Sequence, residues 1–135
     1  MIIIILKKQY RMQDKDIVTY HGRSFIEYPI DYYSVSESNK YRCLENVKDN
    51  VNVDIGGTGV MAFHTDKFKP QMEVFKYPNM ADVLLSSYAK QQGKTITCLS
   101  HKQDYFKYQQ VKNTIYEQKL NDCQIETDIV NQNFK

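Results

Sequence analysis

The N-terminal half of the chain contains short apolar runs and alternating apolar and polar residues, the two-residue period of β-strands. A continuous apolar run is typical of a central strand that is buried on both faces. Turn-forming residues, including the pair His21-Gly22, separate these segments. The pattern therefore predicts strands at residues 2–6, 17–20, 24–28 and 51–55.

The C-terminal half changes to the period of three to four residues that is typical of α-helices. A first helix is predicted after Asn79, a good N-cap residue, and ends at Gly93, which suits the left-handed conformation of a helix C-terminus. The sequence KTITCL then predicts a strand. The capping box SHKQ and the tyrosine spacing after it predict a second helix from His101 to Lys119.

This order of elements, strands first and then helix, strand and helix, predicts a single small α+β domain over residues 1–135. A chain of this length is expected to bury about two thirds of the surface that it exposes when unfolded. Antiparallel strands in the N-terminal half are predicted to include a hairpin turning at 56–59, where glycines supply positive backbone angles. The alternative is an elongated chain that is ordered by its partners.

The composition excludes several classes of protein. Hydrophobic residues make up 41% of the chain and charged residues 25%, which is not the composition of a disordered tail. No segment approaches the ~20 apolar residues of a membrane span. Three widely spaced cysteines without a CxxC pattern do not indicate a disulfide scaffold. We therefore expect a reducing intracellular compartment, either cytoplasmic, including the cytoskeleton, or organellar.

The net charge of +2 hides an uneven distribution, because residues 67–120 carry nine lysines and only four acidic residues. This region has no arginine, the residue that binds phosphate through a bidentate fork. Lysines alternate with aromatic residues in HKQDYFKYQQVK, and such rings can stack on exposed bases. The segment is therefore a candidate partner-binding surface, for a protein or for RNA, formed by Lys102, Tyr105, Lys107, Tyr108 and Lys112.

The glycine run and the polar residues after it are the best candidate for a ligand-binding site. GTGVMA matches the Gly-x-Gly-x-x-Ala pattern of dinucleotide-binding loops, but Pro70 leaves no room for the helix that such a loop requires. The P-loop pattern is also absent from the sequence. His64 and Asp66 are two residues apart and can share one face of a strand. The candidate ligand-binding residues are Gly56, Gly57, Gly59, His64 and Asp66.

No pattern assigns a catalytic residue, a metal site or a cofactor. Cys98 and His101 have Cys-x-x-His spacing, but the further ligands that a zinc site needs are not apparent. The segments YHGRS and YYSVSE contain the His-Gly and tyrosine elements of ADP-ribosyl transferases. The chain is short for that fold and the later catalytic glutamate has no assigned position, so the sequence assigns no family.

These exclusions favour a non-catalytic role. The chain has 11 tyrosines, and tyrosine is enriched at protein interfaces. We therefore predict a structural or accessory subunit, an interaction protein of a larger intracellular assembly such as a cytoskeletal or organellar complex. One alternative is a small nucleotide- or ligand-binding enzyme that uses the Gly56–Gly59 loop with His64 and Asp66. The other is an RNA-bound subunit of a ribonucleoprotein.

Overall fold

The strands and helices are short and form an α+β fold, as the residue pattern predicts, and the strands are divided between two sheets. The computed structural model describes residues 14–34, 37–107, 109, 114 and 122–135, and the predicted strand at residues 2–6 lies outside these ranges. The strands within them are β1 (Ile17–Thr19), β2 (Gly22–Phe25), β3 (Ser38–Tyr41), β4 (Val51–Val53), β5 (Ile55–Gly56), β6 (Met61–Phe63) and β7 (Ile96–Cys98). The helices are α1 (Ala81–Gln91) and α2 (Gln124–Asn133).

The first sheet has the strand order β4-β7-β1-β6 and contains the largest part of the core. β1 lies parallel to β7 on one side and antiparallel to β6 on the other. Every residue of β1 and β7 is buried, because these central strands are covered on both faces. Ile17 and Ile96 pack in one cluster with Leu85 and Ala89, so α1 covers one face of this sheet.

The second sheet has the order β3-β2-β5 and is antiparallel throughout. The segment between β2 and β3 is held by α2. The Asn131 side chain accepts a hydrogen bond from the Ile30 amide (2.8 Å) and donates one to the Ile30 carbonyl (2.9 Å). The Thr127 hydroxyl accepts from the Tyr32 amide at 3.1 Å. The C-terminal helix therefore fixes a segment that lies about a hundred positions earlier in the chain.

Residues 56–59 carry the chain from the second sheet to the first. β5 pairs with β2, whereas β6 pairs with β1, and a single 3₁₀ turn at Thr58–Val60 lies between them. The chain turns where the sequence predicts, but the two flanking strands pair with different partners in different sheets.

Two glycines of this segment, Gly56 and Gly57, serve close packing. Among the five glycines, only Gly93 has a positive φ (66°), so the predicted positive angles at 56–59 are wrong. A Cβ atom on Gly56 would lie 2.6 Å from Met61 Cε and 2.9 Å from Ile96 Cγ2. A larger residue at this position would therefore require the Met61 and Ile96 side chains to shift.

The two predicted helices differ in outcome. α1 forms where predicted and ends next to Gly93, although its N-cap is Met80 and not Asn79. Residues 101–107 of the predicted second helix are not helical. His101 instead pairs with Val47 in an isolated β-bridge. Its ring nitrogens lie 2.7 Å from the Leu99 carbonyl oxygen and 3.1 Å from that of Arg42. These tertiary contacts override the local helix signal, and most of the remaining segment to Lys119 lies outside the described residues.

We expect Gly56→Ala to lower the free energy of unfolding by about 1–3 kcal/mol, because the added methyl group overlaps packed core atoms. Gly59→Ala is the matched control, since an added Cβ there meets no atom within 4 Å. Gly59→Ala is expected to change the free energy of unfolding by no more than about 0.5 kcal/mol. Urea unfolding followed by circular dichroism measures both values, and equal losses in the two variants would contradict this packing account.

Candidate functional site

A cavity of about 820 Å³ opens between the second sheet and the N-terminal ends of both helices. This volume lies within the range of small-molecule binding sites, about 300–1,000 Å³. Charged and aromatic side chains form much of its wall. Its lining includes His21, Arg23, Tyr32, Tyr33, Lys40, Arg42, Thr58, Asp82 and Glu126.

Four nitrogen-bearing side chains lie together on the β2–β3 ribbon, and we call His21, Arg23, Lys40 and Arg42 the basic array. The strand register places Arg23 opposite Lys40. His21 lies two residues before Arg23, and Arg42 two residues after Lys40, so all four belong to one face. All four line the cavity. Arg23 and Lys40 are like charges that face each other across the strands, which is destabilising unless an anion lies between them.

The charges of the array act on one another. Burial lowers the pKa of Lys40, and the nearby Arg23 and Arg42 lower it further. Burial is also the main reason that the pKa of His21 is lowered, although the Asp82 carboxylate opposes this effect. The His21 ring is therefore neutral near pH 7. Its Nδ1 atom accepts a hydrogen bond from the Cys43 amide at 3.4 Å, which leaves Nε2 to carry the proton.

Arg23 is held by aromatic neighbours. Its guanidinium donates a hydrogen bond to the Tyr32 carbonyl at 2.7 Å. It also lies 4.5 Å from the centre of the Tyr32 ring and 5.7 Å from that of Tyr33, both within cation–π range. Burial raises the pKa of the Tyr32 phenol, which is therefore protonated at neutral pH. In this wall of the cavity, the Arg23 guanidinium is therefore held against the rings of Tyr32 and Tyr33.

Arg42 is more open to a ligand than Arg23. An ion pair joins its Nη1 to Glu45 Oε1 at 3.0 Å, and both side chains of this pair are 53% exposed. An exposed pair of this kind contributes little free energy and is readily exchanged. Lys40 and Arg42 are therefore the members of the basic array that are best placed to contact an anion.

The wall opposite the basic array is the N-terminus of α1. Asp82, in its first turn, accepts hydrogen bonds at Oδ1 from the Thr58 amide (2.7 Å) and the Thr58 hydroxyl. This contact ties the glycine segment to the helix. The N-cap residue Met80 forms no side-chain capping bond, and the preceding Asn79 has a φ of 61°. The first amide groups of a helix lack acceptors within the helix and attract anions.

A second carboxylate reaches the cavity from α2. Glu126 lies in the first turn of that helix, is only 2% exposed and lines the cavity. Together with Asp82 it supplies acceptor groups opposite the basic array. The cavity thus combines a cationic side with an acceptor side, and it matches a ligand that carries both negative charge and hydroxyl or amino groups.

Of the residues predicted to bind a ligand, the glycines lie near this cavity and do not line it. Gly56 and Gly57 are buried in the junction between the sheets, and Gly59 is exposed. A Cβ atom on Gly57 would lie 3.0 Å from His21 Cβ, so the glycine allows the two segments to approach. The neighbouring Thr58 does line the cavity.

The predicted polar pair lies at a separate surface. His64 Nδ1 is 3.3 Å from Asp66 Oδ2, and the two side chains are 65% and 87% exposed. The two side chains meet through a turn that follows β6 and not through the predicted strand alternation, because β6 ends at Phe63, and neither residue lines the cavity. A solvated pair of this kind has no wall that could enclose a substrate.

The predicted partner-binding residues are only partly described. Lys102 and Lys107 are exposed, whereas Tyr105 is half-buried and stacks on Tyr20 with ring centres 5.5 Å apart. Tyr108 and Lys112 lie outside the described residues. The ring of Tyr105 therefore packs against a core cluster, which limits the face that it could offer to a base.

Comparison with protein-family models and with curated proteins finds no match for the sequence. Within the described ranges, no helix has the length and apolar character needed to cross a membrane. The same ranges contain no group of three or more His, Cys, Asp or Glu side chains placed to hold a metal ion.

We expect the free energy of unfolding to decrease as the pH falls below about 6.5, the pKa of histidine in an unfolded chain. Because the pKa of His21 is lower in the folded protein, the unfolded state binds this proton more readily. The contribution of His21 to the free energy of unfolding is therefore present in full above the pKa of the unfolded state. It is lost as the pH falls towards the pKa of the folded state.

The measurement is urea unfolding across this pH range for three proteins. His21→Gln is expected to lose part of the pH dependence that the unchanged protein shows, while His64→Gln, at an exposed position, is expected to retain it. Parallel stability curves for the unchanged protein and His21→Gln would contradict the lowered pKa.

Proposed function

We propose that the protein binds a nucleotide or a closely related phosphate-bearing small molecule in the cavity between the β2–β3 ribbon and α1. The observation that carries this proposal is the basic array, which shares the cavity with the N-terminus of α1. Phosphate oxygens form strong charge-assisted hydrogen bonds with Arg and Lys side chains. A helix N-terminus supplies further donors of the same kind.

The rest of the cavity suits the other parts of a nucleotide. The ring of Tyr33 is half-buried and lines the cavity, so a planar base can pack against it. Asp82 and Glu126 can accept hydrogen bonds from ribose hydroxyls or from amino groups of the base. This proposal corresponds to the nucleotide-binding alternative of the sequence analysis, with the site at the basic array instead of at His64 and Asp66.

A second candidate is transfer of an ADP-ribosyl group, and a specific observation favours it. Three sequence elements of ADP-ribosyl transferases are a His-Gly pair, a tyrosine and a later glutamate. His21-Gly22, Tyr32 and Glu126 line the same cavity, although Glu126 follows Tyr32 by more than ninety positions. In this reading the ligand is NAD, and Glu126 is the acid for which the sequence alone gave no position.

The interpretation as a non-catalytic subunit of an intracellular assembly stays a prediction. Ligand binding and membership of an assembly are compatible, because the cavity occupies one side of the domain. Recovery of the protein with fixed partners at constant ratios under native conditions would support this role, and recovery as a lone monomer would count against it.

We expect calorimetric titration to detect binding of at least one of ATP, ADP, AMP or NAD. Lys40→Gln and Arg42→Gln should each weaken this binding by about 10- to 100-fold, the value of a hydrogen bond to a charged group. Lys48→Gln is the matched control, because Lys48 is exposed and lies away from the cavity. No heat with any of these ligands, or equal losses in all three variants, would contradict the proposal.

The second candidate predicts that incubation with NAD releases nicotinamide. The bond between the nicotinamide nitrogen and the ribose carbon breaks, and the ADP-ribosyl group passes to water or to a nucleophile on an acceptor. Glu126→Gln is expected to reduce this release at least tenfold while NAD binding remains, because the amide keeps the shape and loses the charge. NAD binding without release in the unchanged protein would leave the binding proposal and reject the transfer reaction.

A further inference from the structure

A loop of residues 69–79 links the first sheet to α1 and exposes an unusual number of apolar side chains. Its ends are fixed, because the neighbouring Phe68 and Met80 are 3% and 5% exposed. Between them, Met72 is 79% exposed, Tyr77 44% and Phe75 36%. Six large hydrophobic side chains are exposed in the described part of the chain, and three of them lie in this one loop. Clustered exposure of this kind marks a surface that contacts something other than water.

The charges of the 69–79 loop indicate what it contacts. Lys69 and Lys76 are exposed, and Glu73 is the acidic residue of the segment. Lysine is depleted in the centre of protein–protein interfaces, where aromatic residues and methionine are enriched. Lysine beside exposed aromatic residues is instead typical of surfaces that bind anionic lipid.

We propose that the 69–79 loop binds the surface of a membrane that contains anionic lipid. Met72, Phe75 and Tyr77 enter the boundary between headgroups and acyl chains, while Lys69 and Lys76 contact lipid phosphates. Both ends of the loop are anchored in the core, so little conformational freedom is lost on binding. The proposal concerns attachment to one leaflet and is independent of any ligand in the cavity.

The chain contains no tryptophan, so Phe75→Trp introduces a single fluorescent reporter at the loop. We expect its emission to shift to shorter wavelength with vesicles of phosphatidylcholine and phosphatidylserine, and to shift much less with phosphatidylcholine alone. Added salt should weaken the binding, because screening reduces attraction between exposed charges. Flotation of the unchanged protein with the same vesicles checks that the reporter does not create the binding.

Variants of charged and of apolar side chains separate the electrostatic contribution to vesicle binding from the apolar contribution. Lys69→Gln and Lys76→Gln should each weaken binding to anionic vesicles roughly fivefold. Glu73→Gln should strengthen it, because a repulsive charge is removed. Met72→Ser should weaken binding to vesicles while the fold stays intact, since this side chain is mostly exposed. The matched controls are Ile26→Ser, at an apolar side chain that is 58% exposed elsewhere, and Lys48→Gln.

Three results would overturn the proposal. Emission that is unchanged with both kinds of vesicle shows that the loop does not bind lipid. A shift that depends on protein concentration without vesicles identifies a second copy of the chain as the occupant. Vesicle binding that is unaffected by the lysine variants and by Met72→Ser shows that lipid binds at another surface of the protein.

Discussion

The backbone at Gly56-Gly57 is the junction on which the rest of the structure depends. The Gly56 amide donates to the buried Ser86 hydroxyl of α1 at 3.0 Å, and the Gly57 amide donates to the His21 carbonyl at 2.7 Å. The Gly57 carbonyl accepts from the Thr19 hydroxyl at 3.1 Å. Two residues thus connect the first sheet, the second sheet and the helix. Buried backbone groups must be satisfied, so the relative position of these three elements is fixed here.

The cavity is a consequence of that junction. The junction places the β2–β3 ribbon and the N-terminus of α1 on opposite sides of one space, and Thr58 links the two through Asp82. The ribbon then carries basic side chains that repel one another and are partly shielded from water. The fold tolerates this electrostatic cost where a concave surface forms. Unfavourable charge that is concentrated in a cavity is typical of a binding site.

Elements whose signals are local could be predicted from the sequence. The apolar run of β1, the apolar stripe of α1 and the stop at Gly93 each depend on neighbouring residues, and all three form. The basic array could not be predicted in the same way. The triplets HGR and KYR each place basic side chains on one face, but only the register that joins Arg23 to Lys40 turns them into one surface. His101 illustrates the converse, because its long-range contacts overrode a clear capping box.

The hydrogen bonds from α2 to the segment at Ile30 and Tyr32 have a consequence for how the protein is made. Asn131 and Thr127 hold the tyrosine wall of the cavity, and Glu126 completes its acceptor side. Because α2 follows the ribbon and α1 in the chain, translation produces these three residues after both. The basic array is therefore synthesised before the helix that holds the tyrosine wall. That wall takes its position only after α2 has docked on the segment between β2 and β3, so ligand binding in the cavity also reports the docking of α2.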